Sequence, residues 1–451
     1  METDKELINK ILDYLTSSKN LMGEVYYSSA KSITAEAKAG TVDALERAEA
    51  SGLSIRVLDC KRHGFSYTND ISKWREAVDM AAATAACTEE DENWSFLSPS
   101  PHNAGPGVSI YDFAAAAMKE ADIVDMAIAV EGTALSVDDR VKRVRKASAS
   151  VSSGEVYIAN TAGLSGGYRF TSCSVSAMVM AEGSGDSQIG WEYEYDRMLT
   201  AVSPERVGRG AAARALELLN ARTFSKSVRI PVIIENSVAA DFLSLIASSL
   251  SSENVQKGKS ILSGNHISEK IVSEKINIID NALLKGKAGS RPFDGEGVPS
   301  ERNVLVMDGV LKGFLYNLYT AAKGGSVSTG NAVRSGISGI PAVGVSNLCI
   351  EPASSDVTMT LDEMFSTAGQ CLFVTDAMGI HMANRITGEF SVGVSGMWVE
   401  NGKKAYPIKE AVISGNFLDL FRDVEAVGSD LKFYGKIGSP SLLIRNMDIS
   451  G

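Results

Sequence analysis

Near the N-terminus the apolar residues Leu7, Ile8, Ile11, Leu12 and Leu15 recur at spacings of three and four. That is the period of one helix face, so the chain is expected to open with an amphipathic helix. Leu53, Ile55 and Val57 then alternate with Ser54 and Arg56, the two-residue period of a half-buried strand. Asn69-Asp70 supply a turn, and from Trp74 through Val78 to Ala86 the helical period returns. Residues 87–107 mix acids, serines and prolines without period and read as a linker between subdomains.

A second unit follows. A helix is expected over 112–119, then a basic run from Arg140 to Lys146 leading into a strand over 155–160. Another strand has Val175, Ala177 and Val179 alternating with Ser174 and Ser176, and short connections make both strands antiparallel. Ser203-Pro204 places an N-cap residue before a proline at the first helical position, which starts a helix reaching Asn220. The apolar run 229–234 is a buried strand, so the main boundary falls near Ser225. Asn236 caps the next helix, whose buried side carries Val238, Phe242, Leu245, Ile246 and Leu250.

Strand, turn and glycine dominate the remainder. The expected class is α+β: a mixed strand and helix N-terminal region, then a strand-rich C-terminal domain with mostly antiparallel sheet. Three units are expected, 1–90, 108–225 and 226–451.

Composition narrows the function. The 44 basic and 55 acidic residues leave a formal net charge of −11, the wrong sign for a protein that neutralises phosphates, so no nucleic-acid partner is expected. No run approaches the ~20 apolar residues of a membrane span, and the charged start is unlike an export signal. Cys60, Cys87, Cys173, Cys349 and Cys371 are odd in number and lack a C-x-x-C pair, which fits a reducing cytosol.

Local motifs are weak. Gly163-Leu164-Ser165-Gly166-Gly167 matches G-x-S-x-G, but that nucleophile needs a strand, a sharp turn and a helix, and here a strand follows. A hairpin turn is expected. His63, His102, His266 and His381 are isolated, with no helical pair for zinc. Asp294 and Glu296 sit in a glycine-rich turn with too few ligands for a hard cation. The basic run has no interleaved aromatics and reads as a solvated face. Cys349 and Cys371 have apolar neighbours and read as core residues.

Several stretches together are more specific: Ser328-Thr329-Gly330-Asn331, Val374-Thr375-Asp376, Thr387-Gly388-Glu389-Phe390-Ser391, 396–402, Val427-Gly428-Ser429-Asp430 and the ending 447–451. With 291–297, 158–163 and the strand pair over 56–70, their order resembles the TldD/PmbA family, once named modulators of DNA gyrase and understood as cytosolic peptidases. The resemblance covers nearly the whole chain. TldD-type members carry His-Glu-x-x-x-His on the helix after the boundary strand, and a cysteine from a glycine-rich C-terminal loop completes a zinc site. Alignment on Gly258, Ser260 and Gly264 puts Leu243, Ser244 and Ser248 at those positions. The stretch 431–440 is short and has no cysteine. This pattern is similar to the PmbA (TldE) branch.

The resemblance implies a zinc-free subunit that is not catalytic alone and has no cofactor of its own. Zinc is expected only in a TldD-type partner, with which the chain would cleave peptides or unfolded proteins in the cytoplasm as a heterodimer, or else pair with itself. Two alternatives stand beside it: a homodimeric peptidase with an unrecognised site, and a non-enzymatic modulator of DNA gyrase or an antitoxin.

Overall fold

The computed structural model describes residues 2–98, 107–263 and 267–451, with side chains from residue 5 onward. Helix α1 (Glu2–Ser17) buries Ile8, Ile11 and Leu15, as the opening period requires. Strands β1 (Met22–Lys38), β2 (Thr41–Asp59) and β3 (Arg62–Thr68) form an antiparallel meander. Helix α2 (Trp74–Ala86) returns over β3 so closely that a methyl group at Gly64 would lie 2.0 Å from the Ala81 carbonyl oxygen.

The helix expected over 112–119 is only five residues long, and a second, longer helix outside that range follows it. Helix α3 (Phe113–Ala117) stops at Met118, whose backbone is extended, and α4 (Glu120–Leu135) begins on a new axis. The apolar residues of α4 are spread around it, so no sharp period marked it in the sequence. Strands β4 (Val141–Asn160), β5 (Ser165–Gly183) and β6 (Asp186–Asp196) follow, then α5 (Pro204–Glu217), capped by the Ser203 hydroxyl. Gly190 lets α5 lie on β6, since a methyl there would meet the Ala211 carbonyl at 2.2 Å.

Strand β1 pairs with β4 from Glu24↔Asn160 to Glu36↔Ser148. The segments before and after the expected linker therefore share one six-stranded antiparallel sheet, ordered β3-β2-β1-β4-β5-β6. Within 87–107, residues 99–106 lie outside the described residues, and 87–98 are docked: Phe96 is buried, and the Leu97 carbonyl accepts from Asn160.

One face of this sheet carries α1 and α2 over Val25, Leu53, Ile55 and Val57, and α4 and α5 over Ala35, Ala149 and Val175. The opposite face carries Glu24, Ser54 and Arg56. The alternation on β2 assigns that face to solvent, yet Ser54 and Arg56 are buried. The C-terminal domain covers them.

That domain begins beyond Arg222–Thr223 and is strand-rich and mostly antiparallel. Strands Leu442–Ser450, Ser227–Ile234, Cys371–Met378, Glu389–Glu400 and Lys403–Asn416 pair in sequence, and the last pairs back to the first, closing a ring of five. A six-stranded sheet around Ile276–Asn281 and Leu348–Pro352 packs on the other side of α6 (Asn236–Ser249). Helix α6 is consequently apolar nearly all round, with Val238, Phe242, Leu243, Leu245 and Ile246 in one core. Its N-cap is Glu235, one residue before the expected Asn236.

Candidate functional site

Helix α6 holds the positions at which the resemblance places a zinc motif. Leu243 is fully buried in the core. The Ser244 hydroxyl donates to the Asp241 carbonyl at 2.6 Å and that of Ser248 to the Leu245 carbonyl at 2.9 Å, so both bend back onto their own helix. The short stretch after Asp430 forms a hairpin, Lys432–Tyr434 against Ile437–Ser439, that folds onto the start of α6. The Asp430 carboxylate accepts from the Ser441 N–H at 2.8 Å and hydroxyl at 2.7 Å. The Tyr434 hydroxyl donates to Asn236 Oδ1 at 2.7 Å.

These residues do not fit zinc. A leucine has no lone pair to offer, a serine hydroxyl is a poor ligand beside imidazole or thiolate, and the hairpin brings no thiol. Among the described residues no three His, Cys, Asp or Glu side chains converge as a metal site.

The other candidates separate. Ser165 opens β5 directly after the β4–β5 hairpin turn and shares a 2.6 Å hydrogen bond with the Tyr157 hydroxyl, with no helix behind it. Lys142, Arg143, Arg145 and Lys146 are exposed on β4. His381 is exposed, and His102 and His266 lie outside the described residues. His63 is buried and stacks on Trp94, ring centroids 4.1 Å apart; burial and then the Arg56 charge push its imidazole down to about 4. Cys349 and Cys371 are buried, and burial lifts both thiols to about 12, where they are inert.

Asp294 and Glu296 do lie in a turn. Asp294 accepts from the backbone N–H groups of Glu296, Val298 and Ala332 at 2.8, 3.0 and 2.8 Å. Glu296 faces inward instead. It accepts from Arg56 Nη1 at 3.1 Å and from the Leu318 N–H at 2.8 Å. Arg56 also grips Glu24, and Glu24 pairs in turn with Arg334. Four charged side chains, each no more than 2 % exposed, thus join the polar face of the first sheet to the C-terminal domain. Burial pushes the Glu296 carboxyl up to about 7 against the pull of Arg56, with Asp294 adding to the rise. We did not foresee this cluster from the sequence. The one available signal was that two of the resembling stretches, 56–70 and 291–297, contain an arginine and a glutamate at Arg56 and Glu296.

Comparison with known proteins places the whole chain. Three family models match in chain order: PmbA/TldA metallopeptidase domain 1 over residues 23–86, the central domain over 114–219 and the C-terminal domain over 227–451. The metalloprotease PmbA of Escherichia coli O157:H7 is 30 % identical, with 99 % of this chain and 96 % of that protein aligned. An uncharacterized protein of Methanocaldococcus jannaschii is 26 % identical over 94 % of this chain and 95 % of its own length. A Thermotoga maritima structure described as a candidate modulator of a DNA gyrase superposes with TM-score 0.90 at 27 % identity, covering 99 % of each chain. TldE from Thermococcus kodakarensis, at 22 % identity and TM-score 0.87 over 99 % of each chain, shares the fold.

Proposed function

The chain belongs to the PmbA/TldD metallopeptidase family, and we propose that within it this protein is a subunit without a metal of its own, completing a peptidase whose zinc sits in a TldD-type partner. The observation that carries this reading is Leu243. The resemblance puts it at the first zinc-ligand position, and it is fully buried in the core around α6, so the position serves packing. Ser244 and Ser248 spend their hydroxyls on helix carbonyls.

The substrate class is a peptide or an unfolded protein, and the assembly a heterodimer, with self-association when the partner is missing. Closed two-fold or pseudo-two-fold pairs are the common solution for related chains. The proposal includes a cytosolic location, with five free thiols in its favour.

The test is co-expression with a TldD-type protein, followed by size-exclusion light scattering, zinc analysis and peptide cleavage. The isolated chain is expected to be a zinc-free, inactive homodimer, and the mixture a heterodimer with chelator-sensitive cleavage. One tightly bound zinc per isolated chain, lost together with activity on chelation, would overturn the reading.

A further inference from the structure

Beside the buried charge cluster, the polar face of the first sheet and the C-terminal domain leave a cavity of about 240 Å³. Its walls include Tyr26, Tyr168, Arg197, Arg291, Arg334 and Lys436. Four of these six are cations; the Asp294 carboxylate also lines the cavity, and it and the other acids nearby are already engaged. Glu24 holds Arg334 and Arg56. Asp294 accepts from three backbone N–H groups, and Asp280 accepts from Ser346 and Asn331.

Arg197, Arg291 and Lys436 form no direct ion pair among the described residues, although the Arg291 charge acts on the Asp294 and Asp280 carboxylates through space and Asp280 on Lys436. Arg197 donates to the carbonyls of Thr171 at 3.1 Å and Ala288 at 2.7 Å, and Arg291 to that of Gly330 at 3.3 Å. A carbonyl orients a guanidinium without neutralising it. The Nε of Arg197 and that of Arg291 are both buried without a partner, which costs free energy. The Lys436 side chain reaches the solvent of the cavity but is surrounded by protein; that surrounding, then the charges of Arg291 and Arg197, lowers its ammonium to about 8. Tyr26 and Tyr168 are shifted the other way by burial, so their hydroxyls stay protonated and available as donors.

We propose that this cavity is a binding site for the carboxylate or phosphate group of a small ligand, held by Arg197, Arg291 and Lys436. Planar guanidinium groups match both oxyanions in pairs of parallel hydrogen bonds, and an ammonium adds a mobile point charge. At ~30 Å³ per water the space equals roughly eight waters, enough for one anionic group and the few atoms behind it. A metal cation is repelled by the same residues. The inference rests on the cavity alone and holds whether or not a zinc-bearing partner exists.

The test is calorimetric titration of the full-length chain at neutral pH with inorganic phosphate, with an N-acetylated dipeptide as free acid, and with the same dipeptide as C-terminal amide. One saturable site per chain is expected for phosphate, for the free acid, or for both, and none for the amide; the two anion arms show which source the site prefers. Lys436→Met, at a solvent-reaching side chain, is expected to keep the fold with a melting temperature no lower than the parent's and to weaken anion binding at least tenfold. Arg291→Gln is expected to weaken it likewise. The proposal is overturned if neither anion saturates a site, if the amide binds as well as the acid while phosphate does not bind, or if both folded variants bind as the parent chain does.

Discussion

Glu24 and Arg56 stand directly opposite each other on neighbouring antiparallel strands and share two hydrogen bonds of 2.9 Å, with each side chain 1 % exposed. Burial by itself would raise the Glu24 carboxyl, but the guanidinium groups of Arg56 and Arg334 more than offset it and hold the group below the usual carboxylate range. The pair is bidentate, and Arg56 uses its remaining nitrogen on Glu296. One guanidinium therefore ties two strands of the first sheet to a turn of the C-terminal domain.

Arg56→Met leaves Glu24 with only Arg334 and strips Glu296 of its ion pair. Removing one partner of a buried pair costs about 3 to 5 kcal/mol, because the other charge stays buried. Urea unfolding should show that loss, and Glu24→Gln combined with Arg56→Met should recover part of it. A single variant as stable as the parent would contradict the linkage.

The pH dependence contains two opposing contributions. His63 holds its proton less tightly when folded, near 4 against 6.5. Its contribution is complete above pH 6.5 and is lost as pH falls toward 4, worth roughly 3 kcal/mol at about 1.4 kcal/mol per unit. Glu296 is raised from 4.5 to about 7. Its contribution is complete below pH 4.5 and is lost as pH rises through 7. Urea unfolding between pH 4 and 8 should show a flatter acid limb for His63→Phe and a smaller decline from pH 4.5 to 7 for Glu296→Gln. Slopes parallel to the parent chain would count against both assignments.

Placing the family ligands on α6 should not make a zinc enzyme. Leu243→His, Ser244→Glu and Ser248→His together supply two imidazoles and a base, but the hairpin after Asp430 brings no third ligand. Outer-shell partners that orient the imidazoles, worth ~10 to 100-fold in affinity or activity, are also missing. Replacing fully buried Leu243 should cost about 2 to 5 kcal/mol. Weak zinc uptake, lost on dialysis against a chelator, and no peptide cleavage are expected. Robust chelator-sensitive cleavage would reverse this account of α6.

Trp94 is clamped between His63 and Tyr319, with ring centroids 4.1 and 4.3 Å away, and the Tyr319 hydroxyl donates to Asp91 at 2.9 Å. Tyr319→Ala removes one face of the clamp and that hydrogen bond, at a cost of about 2 kcal/mol. The expected readouts are a red shift of tryptophan emission and faster proteolysis within 87–98. Tyr319→Phe should keep the stack and show the smaller effect.

The sequence by itself determined what depends on near neighbours. The spacing of Ile8, Ile11 and Leu15 set the buried face of α1, and Ser203-Pro204 set the start of α5. That Leu243, Ser244 and Ser248 offer neither imidazole nor thiolate follows from their identity alone, because a side chain's donor atoms travel with it. The alternation in β2 predicted which residues face the helices, yet it could not show what covers the other side. Ser54 and Arg56 looked like solvent residues because a period of two says only that two faces differ. Whether the polar face meets water depends on another surface packing there, and Arg56 meets Glu296, 240 residues along the chain. Tertiary structure alone decided that these charges are buried and paired, and that Arg197, Arg291 and Lys436 border one cavity without a direct ion pair, because burial and electrostatic compensation arise from surfaces that only folding brings together.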